Sequence, residues 1–298
     1  TKLRFLSLAR NEVEGTVPAC LASHGGLREL VIFGNKLRGT LPDEWGDELD
    51  TFIAVKQRGP GGGLQGTVPA GLMTAPNLRW LDLSYNNLTG PLPINVSSTL
   101  VDFRVLRNRI SSTIPEALFD NPRLTFLELS ENLFEGALPP MLDYGYSRLT
   151  HFAARGNNLT GTIPQNIFRT KSLVVIDLSA NALEGPLPPP DVVGYNKLAY
   201  FNASHNALTG PIPDQYNILG MFHYGARGDQ NGMRISPLET VPFVFDVSSN
   251  QLGGDIPTFL YYDGPLHLGG AASVNHDNTR VELGGNPSLM CPSESHYA

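Results

Sequence analysis

The chain has 298 residues, 41% apolar and 16% charged, with 31 Gly and 24 Pro, so it is too apolar for disorder and turns often. A formal net charge of −7 excludes a nucleic-acid backbone as partner and disfavours an anionic membrane surface, since both need clustered Lys and Arg. Only Cys20 and Cys291 are present, which rules out a disulfide framework, and no apolar run reaches the roughly 20 residues of a membrane span.

Along the chain one template, LxxLxLxxNxLxGxIP, recurs at 3–18, 27–42, 78–93, 124–139, 149–164, 173–188 and 198–213. Three further copies are degraded: 49–69 carries a Gly-rich insertion, 100–115 has Ser112 for Gly, and 245–257 keeps only its second half. A half-repeat at 281–288 closes the array. The period of about 24 predicts an α/β solenoid of about ten repeats with a parallel β-sheet along its concave side. In the copy LDLSYNNLTGPLP, alternation at Leu81 and Leu83 marks a short strand with one buried face. Asn86 sits at the following turn, where its amide can satisfy main-chain groups that would cost roughly 1–3 kcal/mol each if buried unpaired. Leu88 and Leu92 re-enter the core, and Pro93 ends the pairing. Repetition at Asn11, Asn35, Asn108, Asn132, Asn157, Asn181, Asn206, Asn250 and Asn286 makes an amide ladder. The expected organisation is nine repeats over 1–213, an insertion at 214–241, and the last repeat with a cap region at 242–298.

Between the strand leucines the side chains face solvent, and two columns can be read across the repeats. The first holds Phe5, Trp80, Phe126, His151 and Tyr200; the second holds Asp82, Arg104, Glu128 and Asp177. Aromatic rings flanked by carboxylates and an Arg suit a protein, a peptide or a polysaccharide ligand. The insertion adds Tyr216, Met221, Phe222, His223, Tyr224 and Arg227 as candidate contacts. Sequons at Asn87, Asn95 and Asn158 fall where a glycan would not clash, whereas the one at Asn202 lies on the binding face. Cys20 is expected to be exposed beside a buried Leu21.

No catalytic constellation is legible. The chain has no Gly-x-Ser-x-Gly elbow and no His-Glu-x-x-His pair, and its GPGGGLQG run lacks the Lys-Ser/Thr of a phosphate loop. The expectation is therefore a non-enzyme with no cofactor and no metal.

The Leu-x-Gly-x-Ile-Pro spacing resembles the plant-type leucine-rich repeats of receptor-kinase ectodomains, polygalacturonase inhibitors and algal or protist surface proteins. The resemblance implies a second short strand after each Asn, a right-handed superhelix, and an extracellular or cell-surface recognition module with no membrane contact within this segment. The family's paired-Cys N-terminal cap is missing, and GGNPSLMCP resembles its C-terminal cap with one Cys, so the native chain is expected to extend further. The insertion resembles in placement the island domains of plant hormone receptors. Two other roles compete: a structural subunit of a wall, coat or filament that mates with other chains, and an inhibitor of a wall-degrading glycosidase working through Asp82, Glu128 and Asp177.

Overall fold

The computed structural model describes residues 3–58, 63–140, 148–169, 172–189, 198–218, 243–257, 268–269, 271–276 and 279–290. The backbone divides into two compact units, Thr1–Leu159 and Thr160–Ala298. In the first, seven parallel strands lie side by side in chain order. They are β1 (Phe5–Ser7), β2 (Glu29–Val31), β3 (Thr51–Ile53), β4 (Trp80–Asp82), β5 (Asp102–Arg104), β6 (Phe126–Glu128) and β7 (His151–Ala153). Register sets equivalent residues opposite each other: Phe52 faces Leu81, Phe103 faces Leu127, and Leu127 faces Phe152. These central residues are buried while their neighbours on either side stay part-exposed at β3 to β6, so the period of two reads directly as inside and outside.

The second unit repeats the plan with β8 (Val175–Asp177), β9 (Tyr200–Asn202), β10 (Phe243–Asp246) and β11 (Thr279–Glu282), again parallel. The last of these also pairs antiparallel with Ala271–His276. A second parallel ladder follows the Asn positions in each unit. It runs through Gly39–Thr40, Leu64–Gly66, Asn87–Gly90 and Arg109–Ile110 in the first, and through Glu184–Pro186, Ala207–Gly210, Gln251–Asp255 and Ser288–Met290 in the second. The fold is the expected parallel-sheet solenoid, with about eight turns holding the period near 24 residues and the others carrying extra chain.

The amide ladder is the device that stacks the turns. Asn108 Nδ2 donates to Val105 O of its own turn at 3.0 Å and to Leu83 O of the preceding turn at 3.1 Å, while its Oδ1 accepts the Leu88 N–H at 3.0 Å. Asn35, Asn86, Asn132 and Asn157 do the same in the first unit, and Asn206, Asn250 and Asn286 in the second. Asn181 donates to Leu178 O and Ser179 O within its own turn. Asn11 donates to Leu8 O and Ala9 O of its own turn and is exposed.

In the third turn the sequence offers no Asn, and the structure fills the gap with Gln57. Its longer amide reaches Ile32 O at 2.9 Å and Ala54 O at 3.3 Å, and accepts the Leu37 N–H. Gly63 closes this turn at φ +95, where a Cβ would sit 2.7 Å from Asn86 Oδ1 and 2.9 Å from Gln57. No other residue fits there.

The residue just before each ladder amide is left-handed: Arg10, Lys56, Tyr85, Arg107, Glu131, Ala180, His205 and Ser249 have φ between 52 and 59, and Gly34, Gly156 and Gly285 hold the equivalent place. Such geometry costs a non-glycine residue roughly 1–2 kcal/mol. It is held by an inter-turn bond, because this residue's N–H donates to a carbonyl one turn further on, as in Arg10 to Phe33, Tyr85 to Leu106 and Ser249 to Gly284.

Two sequence expectations are corrected. Tyr216 does not project toward a ligand: it lies in a 3-10 turn, Asp214–Ile218, fully buried against Phe168, Phe201 and Phe245, with its hydroxyl donating to Pro188 O at 3.2 Å. A ring buried this completely contributes packing of order 1.5–3 kcal/mol and no surface. Beside the exposed Cys20 it is Ala22 that is buried, while Leu21 is only half-covered, because the one-turn helix Ala19–Ala22 offers the core a single position. Met221, Phe222, His223, Tyr224, Arg227 and Cys291 lie outside the described residues.

Candidate functional site

The open face of the strands carries both predicted columns, and the structure sorts their members into two kinds. The first kind is locally closed. Asp82 Oδ1 accepts the Ser84 N–H at 3.0 Å, and Glu128 Oε1 accepts that of Ser130 at 2.9 Å. Asp177 takes both the N–H and the hydroxyl of Ser179, at 3.0 and 2.6 Å. Asn202 with Ser204 and Asp246 with Ser248 repeat the arrangement. These oxygens fasten the exit of the strand to the turn, much as a cap does. Burial raises the Asp82 carboxyl above the ordinary carboxylate range, and the Ser84 bonds pull against it.

The second kind reaches across strands. From β5, Arg104 donates through Nε and Nη2 to both oxygens of Asp102, at 2.7 and 2.6 Å. A two-pronged carboxylate grip of this sort fixes the plane of the guanidinium. That plane lies 3.9 Å from the centre of the Phe126 ring on β6. The other side of the column continues with His151 on β7, its ring stacked on Phe126 at 4.0 Å and 7°. His151 Nε2 is 3.9 Å from Glu128 Oε2. Burial first, and the Arg104 charge second, lower the His151 pKa from 6.5 to about 4, so the ring is neutral at ordinary pH. Asp102, Arg104, Phe126, His151 and Glu128 thus form one continuous cluster with Arg104 and His151 packed on Phe126. Arg104 Nη1 has no protein partner among the described residues.

Beside this cluster Trp80, on β4, is part-exposed, and the Arg79 guanidinium lies 4.3 Å from its ring centre. Phe5 is the most open of the predicted aromatics, with 57% of its surface free. Tyr200, in the second unit, accepts a bond from Asn202 Nδ2 at 3.2 Å through its hydroxyl. Trp80, Arg104, Phe126, Glu128 and His151 therefore share one surface of the first unit, with Phe5 on the same sheet; Asp177 and Tyr200 sit on the sheet of the second.

Sequence reasoning put Asp102 in the first column without giving it the role of holding Arg104, and it missed Arg79, which covers Trp80. It also missed the serines that occupy the acids. The signal for those serines was present as the recurrent pairs Asp82/Ser84, Glu128/Ser130, Asp177/Ser179 and Asp246/Ser248. Of the predicted glycan positions, Asn95 and Asn158 are exposed and Asn87 is half-buried within the strand Asn87–Gly90. Among the described residues no group of three or more His, Cys, Asp or Glu side chains is placed to hold a metal ion, and no helix is long and apolar enough to cross a membrane.

Comparison with known proteins places this geometry. The Leucine Rich Repeat family model matches residues 77–98. Over 74 residues, 23% of this chain, the sequence is 34% identical to a "probably inactive leucine-rich repeat receptor-like protein kinase" of Arabidopsis thaliana, and the match covers 12% of that protein. Among solved structures, the plant peptide hormone receptor RGFR1 in complex with RGF2 is similar over 94% of this chain and 43% of its own, with 25% identity and a TM-score of 0.69. A plant ice-binding protein is similar over 97% of this chain and 84% of its own, with 22% identity and a TM-score of 0.65, a likeness of fold alone. The chain spans less than two thirds of the length of the receptors it matches.

Proposed function

We propose that this chain, a leucine-rich-repeat solenoid similar to plant receptor-kinase ectodomains, is a recognition module that binds a protein or peptide partner outside the cell through the β4 to β7 face. The observation that carries this reading is the Arg104–Phe126–His151 stack. Its side chains are ordered before any partner arrives, which spares the cost of roughly 0.5–1.5 kcal/mol for each side chain frozen on binding. The neutral imidazole and the remaining Arg104 N–H groups offer directional contacts to main-chain carbonyls or carboxylates. Protein and peptide partners fit better than a polysaccharide. A sugar stacks on an open ring face, but Phe126 has Arg104 and His151 against it and Trp80 has Arg79 over one side. The similar receptor RGFR1, a plant peptide hormone receptor in complex with RGF2, supports this choice. Glycans at the exposed Asn95 and Asn158 would be consistent with an extracellular site, and intact mass before and after glycosidase treatment reads them.

The test is a random-peptide display library panned on the intact chain and counter-selected against Trp80→Ala/His151→Ala. Recovered peptides are expected to bind the wild type at least about thirtyfold more tightly than the variant, the effect of losing a hot spot of about 2 kcal/mol. Peptides that bind both equally would end the proposal.

A further inference from the structure

The open face of the second and third turns lacks the self-closing polar pair that five other turns carry. Where Asp82/Ser84, Glu128/Ser130, Asp177/Ser179, Asn202/Ser204 and Asp246/Ser248 carry a polar pair, these two turns carry Val31/Phe33 and Ile53/Val55. The register sets Val31 against Ile53, and the Gly34 N–H bond to Val55 O holds the following positions side by side. Four part-exposed apolar side chains therefore form a two-by-two patch on neighbouring strands. A polar self-closing pair is available to this scaffold and is used elsewhere, so the apolar quartet leaves apolar surface wet at a cost that only a cover would recover.

The rim indicates what covers it. The Arg10 guanidinium lies 5.6 Å from the Phe33 ring centre, and Lys56 follows Val55 directly; both are exposed, and neither has a carboxylate partner among the described residues. Two cations without an acidic partner therefore stand at the Phe33 and Val55 end of the patch, while Glu29 and Asp82 lie at its other edges. The patch spans two strands, about 4.8 Å apart, and two positions along each, which matches alternate side chains of one extended segment.

We infer that the Val31, Phe33, Ile53 and Val55 patch docks an extended segment of a partner protein that presents two apolar side chains two residues apart, flanked by Asp or Glu that meet Arg10 and Lys56. This site is separate from the β4 to β7 cluster and stands without it. The test uses the same random-peptide display library on the intact chain, now counter-selected against Val31→Asp/Phe33→Ser/Ile53→Asp/Val55→Ser. That variant installs the polar pair the scaffold already tolerates in other turns, and a second one, Arg10→Glu/Lys56→Glu, leaves the packing alone.

Survivors are expected to carry alternate apolar residues with flanking acids and to lose at least tenfold in affinity on either variant. Survivors without acids, survivors indifferent to Arg10→Glu/Lys56→Glu, or no enrichment over counter-selection would overturn the inference. So would a concentration-dependent dimer of the wild type that the apolar-to-polar variant abolishes, because the occupant would then be a second copy of the chain. Loss of the peptides selected with Trp80→Ala/His151→Ala, without loss of these, would sink the recognition reading alone.

Discussion

The middle of the first unit and the start of the second are built on the same strand, the same turn and the same amide, yet their open faces behave differently. On β8, β9 and β10 the outward oxygens of Asp177, Asn202 and Asp246 are each consumed by a serine two residues later. On β5, β6 and β7, Arg104, Phe126 and His151 instead engage one another from strand to strand, with Asp102 holding Arg104 from within its own strand. The difference teaches that a charged column does not by itself make a binding face. What decides is whether a charge finds a ring on the neighbouring strand to pack on, as Arg104 does, or is answered by the serine two residues on, as Asp177 is.

The largest expected effect tests the foundation the two regions share. Asn132→Leu strands the Ile110 N–H inside the first unit and removes one of the two amide donors at each of the Val105 and Leu129 carbonyls, which keep Asn108 and Asn157; with roughly 1–3 kcal/mol for the stranded N–H and about 1 kcal/mol for each lost bond, the loss is about 4 kcal/mol. Asn206→Leu does the same at a less buried rung of the second unit and should cost about 3 kcal/mol. Urea unfolding of the two variants checks both; a loss below 1 kcal/mol in either would mean that the ladder does not hold that region.

The next effect belongs to one region only. His151 titrates near 6.5 when unfolded and at about 4 when folded, so between these values the unfolded chain holds a proton that the folded one refuses. Stability must then fall as pH drops from 6.5 toward 4, by up to about 3 kcal/mol, with no contribution above 6.5. His151→Gln should abolish this part of the slope, measured as the difference in urea midpoint between pH 7 and pH 4.5. An identical slope in variant and wild type would show that the ring is not held neutral by the cluster.

The smallest effect sharpens the contrast. Ala180→Gly relieves a left-handed residue with an exposed side chain and should stabilise the second unit by about 0.5–1 kcal/mol. Glu131→Gly relieves the same geometry but removes the ion pair with Arg107, so its gain should be smaller. Thermal melts compare them, and a larger gain for Glu131→Gly would contradict the assignment.

The inside of this molecule was far more legible than the outside. Leu81, Leu83, Asn86 and Leu88 announce their places because burial and main-chain pairing tolerate few alternatives at each. Gln57 escaped because an amide one methylene longer reaches the same carbonyls, a substitution the Asn template cannot recognise. Tyr216 was misplaced because the segment after Pro213 begins with the turn Asp214–Ile218, whose aromatic ring is taken into the core. Phe126 was correctly put on the open face, but pattern alone could not tell that Arg104 and His151 pack against its ring. That depends on rotamers and on Asp102, which are properties of neighbours rather than of a column.

The left-handed residue before each amide has a further consequence. Its N–H is answered by the coil that follows, so the bend is closed by its successor as well as by its own amide. Cutting the chain after any rung would relax the bend just upstream of the cut, and loosening would travel from the C-terminal side toward the N-terminal one, as a spring uncoils from its free end.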